Sequence, residues 1–89
     1  MARILIADDE ADMVKFVSSN LRVAGYEMLA ASDGEQALVL ARNEVLDLII
    51  LDLMLPGLDG LEVCRQLRTF TEVPIIVLSA KGEETDKVD

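Results

Sequence analysis

Three aspartates carry the chemistry this sequence is equipped to do. Asp8 and Asp9 follow directly on the apolar run Ile4-Leu5-Ile6-Ala7, with Glu10 behind them, and Asp52 closes the run Leu48-Ile49-Ile50-Leu51. One Asp at the end of an apolar run is most simply a solvated loop residue, because Asp flanks elements routinely. A pair on one run and a third on another reverse that reading: if the two runs are neighbours, the three carboxylates meet. Carboxylates held together repel, which raises at least one pKa or calls for a cation. Mg²⁺ suits such a place, since it takes hard oxygen ligands and keeps several waters. With the charge screened, a phosphoryl group can approach a carboxylate that would otherwise repel it. Asp52 is then a nucleophile able to form an aspartyl phosphate, with Asp8 and Asp9 as metal ligands.

The elements that must hold these residues follow from the apolar pattern. Ile4 to Ala7, Leu48 to Leu51 and Ile75 to Leu78 are short, unalternating and rich in β-branched residues, as parallel strands buried on both faces are. Tyr26 to Ala31 is a weaker strand, and Pro74 opens the last one, where an N–H can be spared. Between them the period is helical. Met13, Phe16, Val17, Leu21 and Ala24 share one face at three- and four-residue steps, with Gly25 as the stop. Asp33 to Gln36 reads as an Asp form of the capping box ahead of Ala37, Leu40 and Ala41. Asp59 to Glu62 repeats it ahead of Leu61, Cys64 and Leu67, and Asp12, Asp33 and Asp59 are expected N-caps. The order β-α-β-α-β-α-β predicts an α/β fold, a parallel sheet with helices on both faces. In such a sheet ligands sit beyond the carboxyl ends of the strands, which is where all three aspartates lie.

Composition narrows the function. The 89 residues hold eight Lys and Arg against seventeen Asp and Glu, a net charge of -9. That field repels nucleic acid and anionic lipid, so a divalent cation or a basic protein face fits better. With no histidine and one cysteine, the chain excludes a Ser/His/Asp or Cys/His triad, a Cys/His zinc site and an internal disulfide. No apolar run nears the ~20 residues of a membrane span, and the start has no signal-peptide layout, so a cytoplasmic location is expected. A length of 89 residues holds at most one domain.

Three stretches resemble the receiver domain of two-component response regulators: Ile4 to Glu10, Leu51-Asp52-Leu53-Met54-Leu55-Pro56-Gly57-Leu58-Asp59-Gly60, and Ile76-Val77-Leu78-Ser79-Ala80. The resemblance runs in register along all 89 residues and implies a flavodoxin-like doubly wound sheet, strand order 2-1-3-4. It implies Asp52 as phospho-acceptor, Asp9 as a direct Mg²⁺ ligand, Asp8 as its neighbour acting through water, and the backbone carbonyl of Met54 as a further ligand. Ser79 matches the switch hydroxyl, Ala80 the small residue beside it, and Pro56 and Gly60 the residues that shape the loop after the acceptor. The implied phosphodonor is a sensor histidine kinase or a phosphotransfer protein. A longer parent is expected to carry the output domain, similar to the winged-helix DNA-binding kind, and receivers of this type also form homodimers.

One departure from the family pattern matters. The family's lysine ends a fifth strand, and nothing in this chain matches it; Lys81 belongs to the loop after strand 4. The alternative is therefore a receiver fragment that cannot be phosphorylated and acts only in protein interaction or dimerisation. Two enzyme or cofactor readings fall on single residues. A haloacid-dehalogenase-like phosphatase needs an acid two residues after the nucleophile, where Met54 stands. Flavodoxin-type flavin binding wants a Ser/Thr/Gly-rich phosphate loop after strand 1, where Asp8-Asp9-Glu10 would repel the phosphate.

Overall fold

The computed structural model describes residues 1–78. Four strands and three helices alternate: β1 (Arg3–Ala7), α1 (Ala11–Val23), β2 (Glu27–Ala31), α2 (Gly34–Asn43), β3 (Leu48–Asp52), α3 (Gly60–Leu67) and β4 (Ile75–Leu78). All neighbouring strands pair in parallel, in the order β2-β1-β3-β4 expected of a flavodoxin-like sheet. Ala7 pairs with both Ala31 and Leu51, and Asp52 with Leu78, so the carboxyl ends of the four strands finish at one level.

The unalternating runs are explained by a core on each face of the sheet. Leu5, Ala7, Ile49 and Leu51 point to one side and pack with Ala37, Leu38, Val63 and Leu67 of α2 and α3. Ile4 and Ile6 point to the other and pack with Met28 and with Val14, Val17 and Leu21 of α1. Each fully buried side chain of this size contributes roughly 1.5–3 kcal/mol relative to exposure. The acid-bearing ends of β1 and β3 are thereby fixed from both sides.

Helix termini hold to the sequence in some places and depart from it in others. Gly25 (φ 103°) ends α1, with its N–H donating to the Arg22 carbonyl and the Tyr26 N–H to the Leu21 carbonyl, the double bond of a Schellman stop. Asp33 caps α2 by accepting from the Gln36 N–H at 2.8 Å, while Gln36 Oε1 reaches back to the N–H of Ser32, one residue further out than a reciprocal box requires. At α3 the expected box does not form: Asp59 makes no side-chain cap bond, and Glu62 instead accepts from Arg65 and Gln66. Asp12 is not a cap either; it sits in the first turn of α1, and the N-cap position is Glu10.

Two helix faces are rotated from the expectation. The buried stripe of α1 is Val14, Val17, Ser18 and Leu21, leaving Met13 and Ala24 exposed and Phe16 at 69% exposure. The larger apolar residues predict a face one step around, but Ser18 is the residue α1 buries most deeply, at 5% exposure. On α3 the buried positions are Gly60, Val63 and Leu67, with Cys64 partly buried and Leu61 exposed. Here Gly60 decides, because a Cβ at that position would stand 2.6 Å from the Leu53 Cα.

Candidate functional site

The acid cluster forms where the strands end. Asp8 extends β1 by one residue, its N–H held by the Ala31 carbonyl at 3.0 Å, and its Oδ1 accepts from the Glu10 N–H at 2.9 Å. Asp52 closes β3, and its Oδ1 accepts from the Met54 N–H at 3.0 Å. Both are short turns in which a side-chain oxygen captures the N–H two residues on, a geometry Asp favours and one that locks its rotamer. The Leu53 N–H donates to the Leu78 carbonyl at 3.1 Å, which pins the loop after Asp52 to the end of β4.

Asp8, Asp9 and Asp52 each present a carboxylate oxygen, and these oxygens lie within 4.8 Å of one another. Asp8 and Asp52 are buried and Asp9 is exposed. Burial pushes the Asp52 carboxyl above its ordinary value; the nearby Asp8 and Asp9 charges add to the rise, and the Met54 N–H opposes it. The three open onto a cleft of about 470 Å³ lined by Glu10, Met13, Met54 and Leu78 as well. No Lys or Arg lines that cleft among the described residues. Lys15 lines a second cleft of about 370 Å³, which shares Asp8 and Asp9 as a wall and adds Ser32 and Gln36.

A hard divalent cation suits this donor set. Two buried carboxylates spend one oxygen each on a backbone N–H and keep the other, while exposed Asp9 gives access from solvent. Three like charges at this spacing hold together at modest cost only when a cation screens them.

Four of the residues singled out in the sequence gather here: Asp8, Asp9, Asp52 and Met54, the last with its side chain exposed and its N–H on Asp52. Ser79, with Ala80 and Lys81, lies outside the described residues. Met13 and Leu78, which the apolar pattern places on buried faces, line the cleft. For Met13 a signal existed: a residue in the first turn of a helix that starts at a strand's carboxyl end stands beside whatever that end binds.

Comparison with known proteins agrees with this geometry. The family described as "Response regulator receiver domain" matches residues 4–89. The alkaline phosphatase synthesis transcriptional regulatory protein PhoP of Bacillus subtilis is 53% identical over 87 residues, covering 97% of this chain and 36% of its own length. The solved structure of response regulator TrrA from Thermotoga maritima, in complex with Mg(2+)-BeF, superposes with a TM-score of 0.84 at 40% identity, over 90% of this chain and 70% of that one. A structure of TrrA with the histidine kinase ThkA gives a TM-score of 0.88 at 36% identity, over 98% of this chain and 76% of that one. The chain thus spans about a third of the curated regulator and 70–76% of the matched chains in the two solved structures. A parallel sheet ordered 2-1-3-4 with three carboxylates at the carboxyl ends of β1 and β3 fits that match, and the chain belongs to the response regulator receiver domain family.

Proposed function

We propose that residues 1–89 are part of a two-component response regulator and receive a phosphoryl group on Asp52. The observation that carries this is the convergence of Asp8, Asp9 and Asp52 within 4.8 Å at the mouth of an open cleft. Asp8, Asp9, Asp52 and the Met54 carbonyl would hold Mg²⁺. When bound, the ion supplies charge neutralisation at the phosphoryl oxygens and at the cluster itself.

Asp52 has one oxygen fixed by the Met54 N–H, which orients the carboxylate and leaves its other oxygen for bonding. Attack forms an Asp52 O–P bond as the N–P bond of a donor phosphohistidine breaks; the imidazole nitrogen leaves with the electron pair. The raised pKa of Asp52 is the cost of keeping this nucleophile buried, and screening of Asp8 and Asp9 offsets it. The Ser79 hydroxyl would donate a hydrogen bond to a phosphoryl oxygen, and that new bond would shift a distant face. A histidine kinase as donor is supported by the ThkA–TrrA complex, and a transcriptional output domain in a longer cytoplasmic parent by the Bacillus subtilis relative. On this reading the family's lysine and fifth strand belong to that longer parent.

Beryllofluoride, a phosphoryl mimic, gives a direct test. In the longer parent, amide NMR shifts at Asp52, Leu53 and Met54 are expected on adding Mg²⁺ with beryllofluoride, and not with beryllofluoride alone. Asp52→Asn should abolish them. Shifts that survive in Asp52→Asn would overturn the assignment.

A further inference from the structure

The rim of the acid cleft is made of sulfur. Four methionines occur in the sequence. Met28 is buried in the core at 9% exposure, and Met1 opens the chain. The other two, Met13 from the start of α1 and Met54 from the loop after β3, both line the cleft that holds Asp8, Asp9 and Asp52, with 39% and 59% exposure. Neither belongs to the two packed clusters, and both side chains are solvent-exposed where they line the cleft.

We propose that Met13 and Met54 form an oxidisable rim, at which a peroxide converts thioether to sulfoxide and tightens the hold of the cleft on a divalent cation. The inference rests on the reading of the cleft as a cation site. In the reaction the sulfur lone pair attacks one peroxide oxygen; the S–O bond forms as the O–O bond breaks. Sulfur loses two electrons, and the second oxygen leaves as water after taking up the proton.

The consequence follows from donor chemistry. A thioether is a soft, weak acceptor and offers little to Mg²⁺ or to its waters. A sulfoxide oxygen is a hard, strong acceptor. Mg²⁺ in a site with few protein ligands keeps several waters, whose outward O–H groups need acceptors. Beyond the aspartates, Glu10 is the one acidic side chain lining the cleft, and oxidation of Met13 and Met54 adds two further hard acceptors. Sulfoxide formation is reversed by methionine sulfoxide reductases, so the change is reversible.

The experiment treats the longer parent with hydrogen peroxide and then with dithiothreitol, which reverses thiol oxidation, as at Cys64, and leaves sulfoxides in place. Peptide mass mapping is expected to show Met13 and Met54 oxidised well ahead of Met28. Calorimetry should then show the Mg²⁺ Kd lowered about threefold relative to untreated protein, as added hard acceptors imply. A Met13→Leu/Met54→Leu variant, a volume-conserving change, should give the same Kd before and after peroxide. Equal oxidation rates for Met13, Met54 and Met28, or an unchanged Kd after oxidation, would overturn the proposal. Untreated protein with no Mg²⁺ binding, or binding indifferent to Asp9→Ala, would instead overturn the cation site and this inference with it.

Discussion

Asp9 and Asp52 do different work although both belong to one cluster. Asp9 is exposed and accepts none of the turn bonds that fix Asp8 and Asp52, so on the proposed reading its contribution would be charge and ligation rather than architecture. Asp9→Ala is therefore expected to remove Mg²⁺ binding in a calorimetric titration while leaving the melting temperature nearly unchanged. Asp52 carries the opposite burden, because the fold raises its pKa above the ordinary value of 3.8. A carboxyl whose pKa is raised on folding holds its proton better folded than unfolded. Stability is then greatest below the ordinary value and falls as pH climbs through the raised one. Asp52→Asn removes that loss, so urea melts without Mg²⁺ should show the variant more stable than the parent at pH 7. The gain should shrink as pH falls toward 3.8. A variant less stable at pH 7 would mean that the Met54 N–H bond outweighs burial and repulsion.

The elements were legible in the sequence to very different depths. Order, type and direction of all seven followed from short apolar runs alternating with helical periods, and the Gly25 stop from one residue type in one place. The acid site was legible because it needs only strand ends, and a strand end is a local feature. Which face a helix turns inward was not, since that depends on fit against a distant surface. Ser18 and Gly60, small residues buried on α1 and α3, outweigh Phe16 and Leu61. Two experiments follow. Asp33→Ala should cost about 1 kcal/mol, a lost N-cap, whereas Asp59→Ala should stay within about 0.5 kcal/mol, because Asp59 caps nothing. Gly60→Ala should cost more, about 1–3 kcal/mol, since the new Cβ meets Leu53 backbone at 2.6 Å and backbone cannot swing aside. It should also weaken Mg²⁺ binding, because the loop it displaces runs through Met54. Denaturant melts and calorimetry of the same sample separate the two effects.

At the scale of the whole molecule, the two faces of the sheet are unequally covered. Among the described residues, α2 and α3 share one face and α1 alone lies on the other. Beside α1 runs an apolar groove of about 470 Å³ lined by Ile4, Leu21, Tyr26, Leu48, Ile50 and Ile76, together with Ala2 and Asp47. Ile76 is half exposed on β4, whose second edge pairs with no described strand and whose run Ile75 to Leu78 carries no charge to discourage pairing. The 89-residue polypeptide should accordingly self-associate, with sedimentation coefficients that rise with concentration, and Ile76→Lys should return it to a monomer. A sharp, concentration-independent monomer would show that the β4 edge does not drive association. The account as a whole stands on Asp52 taking a phosphoryl group, and one measurement reaches that directly. The longer parent is incubated with acetyl phosphate and Mg²⁺, the acyl phosphate is trapped by borohydride reduction, and the modified peptide is mapped by mass spectrometry. The label is expected on Asp52 alone, dependent on Mg²⁺ and absent from Asp52→Asn; label on Asp59, or label that forms equally without Mg²⁺, would contradict it.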